Sequence, residues 1–139
     1  FKWIEAFANK NQKHCRIGLR LNFNLSSNPS RFGIDIKDDV IEKIFKDSNS
    51  SKFLSLESLH YHYASRELTI WKTCMEKFLC FLSELDAATY KNLKYVSLGG
   101  GMFSRMDPFL EKQLPFDIPS FSEYADNSIK YLPQFFKII

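Results

Sequence analysis

Cysteine, histidine and glycine are all scarce in this sequence, and each scarcity narrows what the chain can do. Only Cys15, Cys74 and Cys80 occur, with no CxxC pair among them. They cannot all pair within one chain, so a disulfide framework fits poorly and reduced thiols in a cytoplasmic protein are the default reading. The charges do not cluster: 19 Lys and Arg against 16 Asp and Glu leave a net +3. Without a stripe of Lys and Arg, no nucleic-acid partner is expected. No apolar run approaches membrane-spanning length, so no membrane partner is expected either. Neither an internal repeat nor a low-complexity segment is present.

What the chain does have is apolar and aromatic bulk. Its 139 residues are 45% hydrophobic, enough to build the core of one modest domain. The 16% aromatic content, with 14 Phe, argues against disorder. Residues 1–12 read as a helix with Trp3, Ile4, Phe7 and Ala8 on one face. His14 to Asn22 reads as a strand, because Cys15, Ile17, Leu19 and Leu21 alternate with Arg16, Gly18 and Arg20. The polar stretch 26–30 is a loop. Asp38 to Lys46 predicts a helix that buries Val40, Ile41, Ile44 and Phe45, with acidic residues at its start.

Phe53 to Tyr63 is the next extended segment. From Glu67 to Leu85, Ile70, Trp71, Cys74, Phe78, Phe81, Leu82 and Leu85 recur at helical spacing. Cys74 and Cys80 do not share a face of that helix and read as core packing. Leu93 to Leu98 is a further strand, followed by an irregular stretch containing Pro108, Pro115 and Pro119. Ser120 and Glu123 are spaced as a capping box for a helix to about Tyr131, and Phe135 to Ile139 is an apolar run of strand length. Helices alternating with apolar strands imply right-handed βαβ units and a parallel sheet. That pattern is either a small doubly wound domain or half of an eight-stranded barrel, and in both, ligands gather at the carboxyl ends of the strands.

Three of the five glycines, Gly99, Gly100 and Gly101, stand together directly after a strand. Consecutive glycines let backbone N–H groups approach an anion, so a phosphate cradle competes with the plainer reading of an ordinary loop. On the second strand, His60 and His62 share one face while Tyr61 and Tyr63 take the other. They are either polar residues at a barrel mouth or an HxH metal pair. A metal needs further ligands, and the remaining histidine, His14, lies at the start of its strand. Arg20 and Asn22 either reach the same mouth or anchor the structure locally. Ser65 is an anion donor or a cap of the next helix, and Arg66 an anion clamp or a solvated loop charge.

Together these strings resemble the pyridoxal-phosphate barrel of the alanine racemase-like, or fold type III, enzymes, which include the ornithine, diaminopimelate and arginine decarboxylases. Gly18-Leu19-Arg20-Leu21-Asn22 is similar to the family's G-L-R-I-N strand, and Ser30-Arg31-Phe32-Gly33-Ile34 to its S-K-F-G-I turn. Leu59-His60-Tyr61-His62-Tyr63-Ala64-Ser65 resembles L-H-F-H-I-G-S, Leu98-Gly99-Gly100-Gly101 resembles D-L-G-G-G, and Phe121 to Ala125 resembles F-x-x-Y-A. Five matches in order cover nearly the whole chain.

The resemblance implies the second half of a (β/α)8 TIM-type barrel, with residues 1–139 forming a partial pyridoxal 5'-phosphate-binding domain. His62 would stack on the cofactor's pyridine ring. Ser65 and the backbone at Gly99, Gly100 and Gly101 would hold its phosphate, and Arg20 would lie near the ring. Arg66, beside Ser65, would contact a substrate carboxylate or the phosphate; no metal is implied.

The family's Schiff-base lysine would fall upstream of Phe1, its Glu-Pro-Gly segment after Ile139, and its catalytic Cys or Tyr in a later β-domain. The expectation is therefore a fragment, inactive alone, of a cytoplasmic amino-acid decarboxylase that works as a homodimer on a small amino acid. A racemase or epimerase, and a non-catalytic barrel relative serving as a binding or regulatory subunit, stay open. Ala64 for glycine, Arg66 for a polar residue, Ser97 for aspartate, and the stretch Met102 to Met106 depart from the family pattern, which leaves the substrate unassigned.

Overall fold

Strand alternation and helical spacing fold as parallel βα units in the computed structural model, which describes residues 1–25, 31–63, 65–86, 88–100, 102–103 and 106–135. The order is α1 (Lys2–Asn11), β1 (Cys15–Asn22), β2 (Ile34–Asp35), α2 (Val40–Ser50), β3 (Leu54–Tyr63) and α3 (Leu68–Glu84). Then follow β4 (Tyr95–Gly100), α4 (Pro108–Glu111), α5 (Phe121–Tyr131) and a 3-10 turn, Pro133–Phe135. The strands form one sheet in the order β2-β1-β3-β4, and every pairing is parallel. The central pair, β1 and β3, carries the apolar alternation that a helix layer must cover.

One face of the sheet is the core. Leu19 and Leu21 from β1, with Leu59 and Tyr61 from β3, pack with Ile41, Phe45, Trp71, Met75, Phe78 and Tyr124 from the helices. Burying each large apolar side chain contributes roughly 1.5–3 kcal/mol. Phe23, just beyond β1, meets Tyr61 edge-on at 4.9 Å and Phe78 at 5.5 Å, closing the core at the carboxyl end of the sheet. The α5 helix begins with the predicted capping box: Ser120 Oγ accepts from the Glu123 N–H at 3.3 Å, and Glu123 Oε2 accepts from the Ser120 N–H at 2.8 Å.

Several boundaries differ from the sequence reading, each for a physical reason. Strand β4 starts two residues later than Leu93 and runs through Gly100, so Gly99 and Gly100 lie in the ladder opposite His62 and Tyr63 rather than in a loop after it. Two-residue β2 has no periodic signal; it exists because Gly33, at φ +86°, turns the chain against β1. An added Cβ at Gly33 would stand 2.8 Å from the Leu21 carbonyl oxygen.

The second helix begins at Val40 and continues to Ser50 because Ser48 is buried and its hydroxyl accepts from the Leu56 N–H at 2.6 Å. Val40 itself is exposed, as are Trp3, Ile4 and Phe7; of the first helix's apolar set only Ala8 is buried. Cys80 is exposed rather than core, since it lies six residues from buried Cys74 and across the helix from it. A four-residue helix, α4, opens at Asp107, whose Oδ1 accepts from the Phe109 N–H at 2.8 Å. Phe135 belongs to the 3-10 turn, not to a strand; the remainder of that expected strand, the 26–30 loop, Ala64 and Gly101 lie outside the described residues.

Candidate functional site

The second face of the sheet is polar, and strand register decides which of its residues meet. Parallel partners share a face, so the pairing Gly18, Ser58, Tyr95 forms one row and Arg20, His60, Ser97 the next. His62 opposite Gly99 forms a third, nearer the carboxyl end. A bulge creates this arrangement: the register passes from Ile17 opposite Leu56 to Gly18 opposite Ser58, with Glu57 as the extra residue. Glycine at 18 leaves room for the Ser58 hydroxyl, which an added Cβ would meet at 2.4 Å.

His60 is the most constrained member of the face. Its Nδ1 lies 3.0 Å from Ser97 Oγ, and its ring centroid 6.3 Å from that of His62. Burial and then the Arg20 guanidinium push its pKa below the ordinary histidine value; a hydrogen bond to Ser97 pulls the other way, and His62 lowers it further. His62 is exposed. Gly99 is the slot between the two rings: an added Cβ would fall 2.8 Å from His60 Cε1 and 3.0 Å from His62 Nδ1. Gly100 has φ +119°, a backbone that side chains rarely adopt.

Arg20 places its Cζ 5.1 Å over the Phe32 ring, and its buried Nε has no hydrogen-bond partner among the described residues. An unpaired buried N–H is a donor waiting for an acceptor, which fits the polar edge of an anionic ligand. At the edge of this face, Asn24 donates to the Asp35 carboxylate, and Asn22 Oδ1 accepts from the Asn24 N–H at 3.0 Å.

The structure brings Arg20, His60, His62, Gly99 and Gly100 to the ends of three adjacent strands. It holds two other predicted residues in local contacts. Ser65 Oγ accepts from the Glu67 N–H at 3.3 Å, just before α3, and Arg66 sets its Cζ 5.6 Å over the Phe103 ring while its carbonyl accepts from the Tyr124 hydroxyl. Sequence reasoning singled out neither Ser97 nor Phe32 as part of the site. Their signal was the register with His60 and the turn before β2, both visible only once strands are paired. Cavities of about 600 Å³, lined from Pro108 to Asp117, and about 410 Å³, beside Phe103 and Phe121, include none of these residues. The site is an open face of the sheet. Among the described residues no group of three or more His, Cys, Asp or Glu could hold a metal ion, and no helix is long and apolar enough to cross a membrane.

Neither a family model nor a curated protein sequence matches the chain. Solved structures do. Diaminopimelate decarboxylase from Helicobacter pylori, complexed with L-lysine, superposes with a TM-score of 0.68 at 20% identity, over 95% of this chain and 34% of that one. Diaminopimelate decarboxylase from M. jannaschii in complex with L-lysine gives 0.59 at 15% identity, over 95% and 32%. The chain thus spans about a third of the length of the structures it matches. Its four parallel strands and their helices have the α/β fold of part of a TIM barrel, as found in these diaminopimelate decarboxylases.

Proposed function

We propose that residues 1–139 are a partial barrel domain of a pyridoxal-phosphate-dependent amino-acid decarboxylase, contributing the surface that holds the cofactor. The observation that carries this reading is convergence. Arg20, His62 and Gly99, which the family resemblance assigns to the cofactor, all lie on one polar face at the carboxyl ends of adjacent parallel strands, with Gly100 the next residue along β4. Ligands of such sheets gather there.

The residues present fit the group. Exposed His62 offers a ring face for an aromatic partner. Arg20, whose Nε has no partner among the described residues, supplies a positive charge and a donor near that ring. Gly99 and Gly100 let backbone approach a phosphate closely, and the Ser65 hydroxyl and Gly101 complete the phosphate set as the resemblance assigns it. Arg66, after β3, is the candidate for a substrate carboxylate or the same phosphate. When bound, the cofactor draws electrons from the substrate's α-carbon; the protein's part is to orient it and choose which bond breaks. The reading carries with it a small amino-acid substrate, a homodimer and a cytoplasmic setting.

The test is equilibrium dialysis of pyridoxal 5'-phosphate against the protein as naturally expressed, with inorganic phosphate as competitor. Saturable binding is expected, weakened about tenfold by His62→Ala through loss of ring stacking, and similarly by Arg20→Ala. Carbon dioxide release from an amino-acid panel then separates a decarboxylase from a racemase, which would instead abolish optical activity. Absence of saturable binding, or binding indifferent to both substitutions, would overturn the assignment.

A further inference from the structure

Strand β4 faces the two histidines with two small residues, and each is matched to one ring. Ser97 lies opposite His60 in the ladder and its hydroxyl is 3.0 Å from Nδ1. Gly99 lies opposite His62, and the space where its Cβ would stand is bounded by both rings, at 2.8 Å and 3.0 Å, and by the Tyr61 carbonyl oxygen at 3.2 Å. We infer that Ser97 and Gly99 act as a pair of positioning residues: the Ser97 hydroxyl pins the His60 ring, and the pinned ring and the bare Cα of Gly99 together fix the angle of His62. This deepens the proposed function, in which His62 faces the cofactor ring, and it gives Gly99 a task separate from any backbone contact to phosphate.

Contacts under 3.0 Å to a Cβ are not tolerated, so a methyl at position 99 must displace something. The nearest atoms are ring edges, which can swing, so the substitution should move histidines before it disturbs the sheet. How far His60 can swing depends on whether Ser97 still holds it. The two positions are therefore coupled through His60, although two residues apart on a strand. His60 packs against Arg20 on β1, His62 on its own strand and Ser97 on β4; of these Arg20 and His62 carry or acquire charge, so a shift in ring position alters its titration.

The experiment is a double-mutant cycle on the protein as naturally expressed, without added cofactor, using Ser97→Ala, Gly99→Ala and the double variant. Three histidines give three sets of imidazole signals, and His14, outside this face, reports whether the fold is intact. Gly99→Ala is expected to shift the His60 and His62 signals together and to move the His60 titration midpoint. Ser97→Ala is expected to shift both sets also. The double variant should show less change than the sum, because a released His60 makes room for the methyl.

Unmoved histidine signals in Gly99→Ala, or strictly additive effects, would overturn the inference. If Gly99→Ala does not fold, Ser97→Ala should rescue it, and lack of rescue would overturn the inference equally. Pyridoxal 5'-phosphate dialysis on the same variants is read separately. Coupled rings without cofactor binding would retain the positioning pair and reject the cofactor reading; binding with uncoupled rings would do the reverse.

Discussion

The Trp71 indole donates through Nε1 to the Ser128 hydroxyl at 3.1 Å, and that hydroxyl donates to the Tyr124 carbonyl at 2.8 Å. One buried serine thus joins α3 to α5, beside an edge-on contact between Trp71 and Tyr124 at 5.2 Å. Since the Tyr124 hydroxyl donates to the Arg66 carbonyl, the same joint also fixes the chain where it leaves β3.

Ser128→Ala leaves the buried indole N–H without its acceptor. The expected cost is about 1–3 kcal/mol, the penalty for an unsatisfied buried donor. Trp71→Ala adds a cavity and should cost roughly 3–5 kcal/mol. Urea midpoints check both, and a Ser128→Ala midpoint equal to that of the parent would contradict the joint.

Glu57, the bulge residue, is buried and accepts from Lys94 Nζ at 3.0 Å and from the Ser55 hydroxyl at the same distance. The Lys94 hydrogen bond holds its carboxyl below the usual range of 4.5 against the opposing effect of burial. A carboxylate whose folded pKa is depressed stabilises the fold above its unfolded pKa and loses that contribution as pH falls through the folded value. Stability should therefore drop as pH falls below about 4.5, and Lys94→Met should flatten that part of the profile. Denaturation midpoints between pH 3 and pH 7, about the range over which a carboxylate titrates, measure it; parallel profiles for both proteins would exclude the pairing as the cause.

His60 should titrate below the ordinary histidine value because it is partly buried and faces Arg20. A lowered folded pKa means the neutral ring is favoured in the fold, so this contribution to stability is present above the unfolded pKa and is lost as pH falls through the folded one. Arg20→Met is expected to raise the midpoint. Imidazole NMR titration gives the answer directly, and a midpoint unchanged by that substitution would remove Arg20 from the account.

The two helix thiols should separate chemically. Cys74 is buried, with its Sγ donating to the Tyr61 hydroxyl at 2.9 Å, and burial pushes its pKa to about 11. Cys80 is exposed, but its hydrogen bond to Glu84 also raises its pKa. Alkylation of the folded protein followed by mass spectrometry should find Cys80 modified and Cys74 protected until denaturant is added. Glu84→Gln should speed modification of Cys80. Early labelling of Cys74 would show that the α3 core opens locally.

Much of the architecture was legible because its signals are local. Cys15, Ile17, Leu19 and Leu21 alternate with polar residues, and Trp71, Cys74, Phe78 and Leu82 recur at helical spacing; both patterns formed the elements they predict. The capping box of Ser120 and Glu123 spans three residues and formed as spaced. Where a signal was shorter or shared, the reading slipped. Two residues of β2 carry no period, and the glycines that resembled a loop belong to β4: at Gly99 the ladder takes glycine where two neighbouring rings need the space, and Gly100 ends the strand at φ +119°.

The sequence by itself determined the parallel βα alternation, the apolar face of β1 and most of the buried stripe of α3, and the placing of polar residues at strand ends. It could not determine that Ser97 meets His60, that Gly99 opens a slot for two rings, or that Trp3, Ile4 and Phe7 remain uncovered. Those are properties of register and packing between segments tens of residues apart. A periodic pattern says which face a side chain takes, but only the paired sheet, with its bulge at Glu57, says which side chain stands beside it.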